Sequence, residues 1–279
     1  MNTTPKVSIC IPTYNGEKSI ADTIKSILSQ TMQDFEIIIS DDNSTDNTAQ
    51  AVKQFNDERI HFSVAEGRGG AVANCNRALS LARGKYFKVL MQDDLLEPEH
   101  LEYAVKLLDS DPDIVMTTCS TNIIDGSGKV TMVRRHLNKD MIVDGNAYAK
   151  RSLHGRNIFG EPSVICYRRE VYEKGLRYRD KYRFNFDWDF SISAVTGKKI
   201  AYISKPLASF RISDTSISGN FYKKNKRLIY EESKMLFNDH REELSLTNTD
   251  YFIFKSATLF LLMAKMVYTV ISQTLAKHR

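Results

Sequence analysis

Short apolar runs alternate with helically spaced apolar positions over the first third of the chain. Val7 to Ile11 reads as a buried strand, and Glu17 to Gln30 puts Ile20, Ile24, Ile27 and Leu28 on one helical face. Phe35 to Ser40 is a second strand, Thr48 to Phe55 a short helix and Ile60 to Val64 a third strand. Ala71 to Ala82 is helical with Ala78, Leu79 and Ala82 inward; Gly84 breaks it, and Lys85 to Met91 is a fourth strand. This alternation predicts an α/β fold with a mostly parallel sheet flanked by helices. Ligands of such folds bind beyond the carboxyl ends of the strands. Three polar segments follow strands directly: Pro12 to Asn15, Asp41 to Asp46, and Gln92 to Asp94.

From about residue 95 to 215 the pattern is less regular. Asp125-Gly126 and Ser127-Gly128 mark a hairpin turn, and Pro162 to Tyr167 and Ile200 to Ser204 look like strands. No internal repeat or low-complexity linker interrupts the chain. From Phe221 onward the pattern is helical, and Tyr251 to Leu275 is very apolar. Its polar positions Lys255, Thr258, Lys265, Thr269 and Gln273 form one narrow helical stripe. Such a helix packs on its own domain or a partner, or lies in a membrane interface. A full span is disfavoured by Lys265 in its middle.

The chain has 279 residues, 42% hydrophobic and 26% charged, the proportions of a soluble globular protein with one large domain and at most a small appendage. A net charge of +5 without a long basic run argues against a nucleic-acid binder. Cys10, Cys75, Cys119 and Cys166 form no metal-type spacing and read as core residues, which fits a reducing compartment. With no signal peptide, a cytoplasmic location is expected.

Asp93-Asp94 follows a buried strand, where two adjacent acids repel one another and a hard divalent cation would compensate them. The bland alternative is an acidic turn. In Asp41 to Asp46, an N-cap explains Asp46 but leaves the preceding polar residues over; a carboxylate there suits the imide N–H of uracil or thymine. Tyr14 offers a face on which a base stacks, or is a partly buried turn residue. Asp187 and Asp189 are either surface acids on a helix or, with Trp188 between them, part of a pocket wall.

Taken together, V-S-I-C-I-P-T-Y-N-G, I-I-S-D-D-N-S-T-D-N-T and A-x-G-K-Y-F-K-V-L-M-Q-D-D resemble the inverting family 2 glycosyltransferases with the GT-A fold. Asn157 to Arg169 is similar to the family's acceptor-side strand, Phe186 to Phe190 to its E-D-x-D segment, and Phe210 to Ser213 to the strand that follows. The resemblance implies a GT-A domain over 1–218, a Rossmann-like nucleotide-diphospho-sugar transferase fold. Residues 219–279 would be a helical region that associates with membrane or oligomerises. It implies Asp42 binding the base and Tyr14 stacking on it, with Pro12, Asn15, Asp41 and Arg68 lining the nucleotide pocket. Asp94 would be the metal ligand for Mn2+ or Mg2+, with Asp93 on the ribose or the metal's waters, and Asp187 the general base. Glu161 and Trp188 would face the acceptor. Two departures stand out: the acid before the base is Phe186, and a histidine often found near the last strand is Ser213.

The implied reaction is transfer from a nucleotide-diphosphate sugar, UDP or dTDP favoured, to a saccharide or lipid-linked acceptor in cell-surface polysaccharide synthesis. Polyprenyl-phosphate sugar synthesis and non-catalytic nucleotide-sugar binding are the alternatives. Nucleotidyl transfer is disfavoured because P-T-Y-N-G carries only one glycine where a phosphate loop needs several. Lys223, Lys224, Lys226 and Arg227 near the apolar helix suit an anionic membrane, so a site at the inner membrane face is expected.

Overall fold

The computed structural model describes residues 4–212 and 225–260. Ser213, Lys223, Lys224, Lys265, Thr269 and Gln273 lie outside the described residues, as does the side chain of Lys226.

The first third alternates as the pattern predicts: β1 (Val7–Thr13), α1 (Ile20–Leu28), β2 (Phe35–Asp41), α2 (Thr48–Lys53), β3 (Ile60–Val64), α3 (Gly70–Ser80) and β4 (Tyr86–Val89). Strands β1 and β2 are buried almost throughout, because a central parallel strand is covered on both faces. α1 buries Ile20, Ile24 and Ile27, one face at helical spacing. After β5 (Leu95–Leu96) come α4 (His100–Ser110), β6 (Ile114–Ile124), β7 (Val130–Arg134), β8 (Met141–Asp144) and α5 (Gly145–Leu153). Then follow β9 (Cys166–Arg168), α6 (Glu170–Glu173), α7 (Phe186–Val195), β10 (Lys199–Arg211) and α8 (Lys226–Asp239), and residues 248–260 are again helical.

Among the described residues the ten strands form one sheet in the order β3-β2-β1-β4-β9-β6-β10-β5, with β7 on β6 and β8 on β10. It is parallel from β3 to β4. Beyond that it is mixed, because β9 runs antiparallel to both β4 and β6. The strand expected from Pro162 begins only at Cys166. Pro162 brings no amide to a ladder and opens a 3-10 turn over Pro162–Val164 instead. The strand expected over Ile200 to Ser204 extends to Arg211, slipping register around Pro206, which again cannot donate.

All four cysteines are buried and free. Phe87 of β4 stacks on Tyr167 of β9 at 5.1 Å, and Phe190 meets Tyr167 edge-on at 5.2 Å and stacks on Tyr178 at 4.4 Å. This aromatic cluster seats α7 on the sheet and so fixes where its first turn lies. The C-terminal helices grip the same element. Glu232 of α8, 2% exposed, accepts from the amides of Arg183 (2.8 Å), Phe184 (2.9 Å) and Asn185 (3.0 Å), the three residues that lead into α7.

Candidate active site

The ends of β1, β2 and β4 are laced together. Gln92, just past β4, accepts at Oε1 from the Tyr14 amide (2.9 Å) and the Thr13 hydroxyl, and donates from Nε2 to the Tyr14 carbonyl (3.1 Å). Gly16 makes room for it, since a Cβ there would stand 2.5 Å from Gln92 Oε1. Asn15 Oδ1 accepts from the Thr45 amide (2.9 Å), and the Asn15 amide donates to Ser44 Oγ (2.8 Å). Pro12 is half-buried opposite Ser40 in the β1–β2 ladder.

Asp41 closes a turn by accepting from the Ser44 amide (3.0 Å) and hydroxyl (2.5 Å). Asp42 reaches the start of α3, where Oδ1 accepts from the Gly69 amide (2.7 Å) and Oδ2 from the Gly70 amide (2.9 Å). Gly70 has φ +83°, a conformation that costs a residue with a side chain. Both Asp42 oxygens keep a second lone pair for a ligand donor. The Arg68 guanidinium lies over the Tyr14 ring, 3.9 Å from its centroid. The structure thus gathers Tyr14, Asn15, Asp41, Asp42 and Arg68 around two neighbouring strand ends.

Asp94 is fully buried. Its Oδ2 accepts from the Ser163 hydroxyl (2.5 Å) and its Oδ1 from the Arg211 amide (3.0 Å), while Arg211 Nε donates to the Asp93 carbonyl (3.0 Å). Burial, and then the charge of Asp93, raises the Asp94 pKa well above the usual carboxylate range; burial raises Asp93 as well. Beneath them the buried Lys88 donates to the Ser163 carbonyl (2.6 Å), and burial pushes its pKa down to about 8.

Among the described residues no group of three or more His, Cys, Asp or Glu stands close enough to hold a metal. A hard divalent cation needs only one or two carboxylates when phosphate oxygens and water complete its shell. Two adjacent acids with raised pKa values are a donor set that such a cation stabilises. The residues therefore fit a metal that arrives with a diphosphate, with no protein cage of its own.

Asp187 stands in the first turn of α7 and is half-buried. Burial pushes its pKa up to about 7, opposed by the Trp188 amide, which donates to Oδ1 (2.8 Å). Its own backbone amide opposes the shift as well, and no other side chain among the described residues donates to this carboxylate. The charge of Asp187 bears on Cys75 of α3, the helix whose start holds Asp42. Gly70 and Cys75 are roughly 7.5 Å apart along that helix.

Four further positions are placed as follows. Trp188 is 6% exposed and its indole N–H donates to Ser152 Oγ (2.9 Å), so the ring packs on α5. Asp189 is not a surface acid: it is buried between Arg179 and His240 Nε2 (2.9 Å). Phe186 packs edge-on against Tyr178 at 5.5 Å, an apolar role. Glu161 pairs with Arg134 and leaves Oε2 buried without a hydrogen-bond partner among the described residues.

Sequence reasoning assigned no role to Gln92, Ser163, Arg211 or Glu232. The first three sit inside the quoted motifs, but their partners are 69 to 117 residues distant. A depression of about 240 Å³ lined by Glu36, His61 and Arg83 lies near the opposite end of β2 and contains none of the candidate residues.

Residues 8–176 match the family model described as Glycosyl transferase family 2. The Escherichia coli UDP-Glc:alpha-D-GlcNAc-diphosphoundecaprenol beta-1,3-glucosyltransferase WfgD is 37% identical over 102 residues, 37% of this chain and 40% of that protein. The structure of S. aureus TarS 1–349 in complex with UDP-GlcNAc superposes with a TM-score of 0.67 at 21% identity, covering 88% of this chain and 75% of that TarS 1–349 chain. The mannosyltransferase PcManGT from Pyrobaculum calidifontis, in complex with GDP-Man and Mn2+, gives a TM-score of 0.61 at 18% identity, covering 98% and 81%. The likeness to TarS makes the fold GT-A, as the sequence resemblance implied.

Proposed function

Since this chain belongs to glycosyltransferase family 2, we propose that it transfers a sugar with inversion from a nucleotide-diphosphate donor, UDP or dTDP favoured, to a saccharide or lipid-linked acceptor in cell-surface polysaccharide synthesis. The observation that carries this reading is Asp187: a half-buried carboxyl in the first turn of α7 whose pKa is pushed to about 7 and to which no other side chain among the described residues donates. A general base works best with a pKa near the working pH.

In this reading the acceptor hydroxyl gives its proton to Asp187 Oδ2 as its oxygen bonds to the anomeric carbon. The bond from that carbon to the diphosphate breaks at the same time, and the nucleoside diphosphate leaves. Asp42 accepts from the base imide and Tyr14 stacks on the base. Asp94, with Asp93, would hold Mn2+ or Mg2+, which when bound neutralises charge on the diphosphate. WfgD uses UDP-Glc and a lipid-linked acceptor by its name, which supports the same donor and acceptor classes for this chain.

Membrane contact through the C-terminal helix is part of the proposal. Phe252 (71% exposed), Leu259 (53%) and Phe260 (65%) lie along one side of the helix at 248–260. No helix among the described residues is long and apolar enough to cross a membrane. Self-association through the same face is the competing occupant, and flotation with anionic vesicles against sizing in solution separates the two.

The donor reading is tested by thermal protection with a panel of UDP-, dTDP- and GDP-sugars, with and without Mn2+ or Mg2+. A UDP- or dTDP-sugar should raise Tm only when metal is present. Protection by none of them would overturn the reading.

A further inference from the structure

On the side of Asp94 away from Tyr14 and Asp42, the protein gathers positive charge that the reading above leaves unused. Arg134 ends β7, pairs with Glu161 and lies 5.8 Å from the centroid of Phe210. Phe210 precedes Arg211, whose amide holds Asp94. Two residues beyond Arg134, the His136 amide donates to the Tyr202 hydroxyl (2.9 Å). His136 Nδ1 and Glu161 Oε2 are both buried without hydrogen-bond partners among the described residues. Arg151, in the last turn of α5, and Arg156, in the loop after it, are exposed and have no ion-pair partner among the described residues.

These groups feel one another. Burial, then Arg156, Arg134 and Arg151, pushes the His136 pKa down to about 4, so the imidazole is neutral. Arg134 is lowered by burial and by Arg156, and Asp94 opposes that. The charges of three guanidinium groups therefore bear on one neutral imidazole, and Glu161, paired with Arg134, is the counter-charge in contact with them. Like charges gathered beside a partly desolvated centre cost free energy unless an anion joins them. Guanidinium forks match phosphate and carboxylate oxygens bidentately, and a neutral imidazole adds one N–H.

We propose that Arg134, His136, Arg151 and Arg156 form an acceptor subsite for an oxyanion, a phosphate or a carboxylate carried by the acceptor saccharide. This rests on the glycosyl-transfer reading for the identity of the bound molecule. The placement argues for the acceptor: β7 pairs with β6, on the opposite side of β4 from the strands that carry Tyr14 and Asp42.

The test is calorimetric binding to the full chain with UDP and Mg2+ saturating, using glucose 6-phosphate, methyl glucuronoside and neutral methyl glucoside as probes. The wild type should bind one charged probe at least roughly tenfold more tightly than methyl glucoside, and whichever probe wins names the source of the oxyanion. Arg151→Ala/Arg156→Ala, a change at two exposed positions, should erase that preference and leave UDP affinity intact. Equal binding of charged and neutral probes by the wild type would overturn the proposal, as would a preference that survives the double substitution. Weakened UDP binding in the variant would also overturn it, by assigning the arginines to the donor. If the wild type does not bind UDP at all, the donor reading fails on its own, and the comparison of charged with neutral probes still stands.

Discussion

Arg68 covers one face of the Tyr14 ring, its guanidinium 3.9 Å from the ring centroid. A nucleobase can stack on the opposite face with Arg68 bracing the ring behind it, or it can displace Arg68. In both cases Tyr14 supplies the stacking surface. Base–aromatic stacking is worth about 1–3 kcal/mol, so Tyr14→Ala should weaken UDP binding ~10-fold or more and Tyr14→Phe should preserve it. Calorimetric titration with UDP checks this; equal affinity in wild type and Tyr14→Ala would remove the ring from the site.

The raised pKa of Asp187 sets the pH dependence. If the carboxylate must be ionised to take a proton, kcat/KM should climb through about pH 7 and level off above it. Stability runs the other way. The folded pKa lies above the unfolded value, so stability from this group is complete below the unfolded pKa and is lost as pH rises through about 7. Asp187→Asn, which mimics the neutral acid, should therefore gain on the order of 2 kcal/mol over the wild type at pH 8 and little at pH 4. Denaturant unfolding of both proteins at the two pH values checks the sign.

Glu232 holds three successive backbone amides ahead of α7 and is itself buried. It touches no candidate substrate atom; its role is to position the turn that bears Asp187. Glu232→Gln keeps one acceptor oxygen and should keep the fold. Its kcat should fall about tenfold, one misplaced interaction at a base, while UDP affinity stays unchanged. A variant with unaltered kcat would leave Glu232 a purely structural residue.

The strands and helices of the first third were legible because their apolar spacing and their burial coincide, and the acids at the strand ends followed from topology. Asp42, Asp94 and Asp187 could be picked out through short motifs. Their surroundings could not, because Ser163 meets Asp94 across 69 residues and Glu232 meets Asn185 across 47. The surroundings of Trp188 were hidden for a related reason. A lone aromatic between two acids suggests a pocket wall, but α5, which receives its N–H, announces itself only in the folded chain. Pro162 opens an apolar run that looks like a strand, but it has no amide to give a ladder and starts a 3-10 turn instead.

The central claim, that Asp187 takes the proton of the acceptor in sugar transfer, is tested most directly by the transfer rate of Asp187→Asn under saturating nucleotide sugar. The rate should fall by about two to four orders of magnitude, the usual contribution of one general base, with donor affinity unchanged. A rate within a few-fold of the wild type would contradict it.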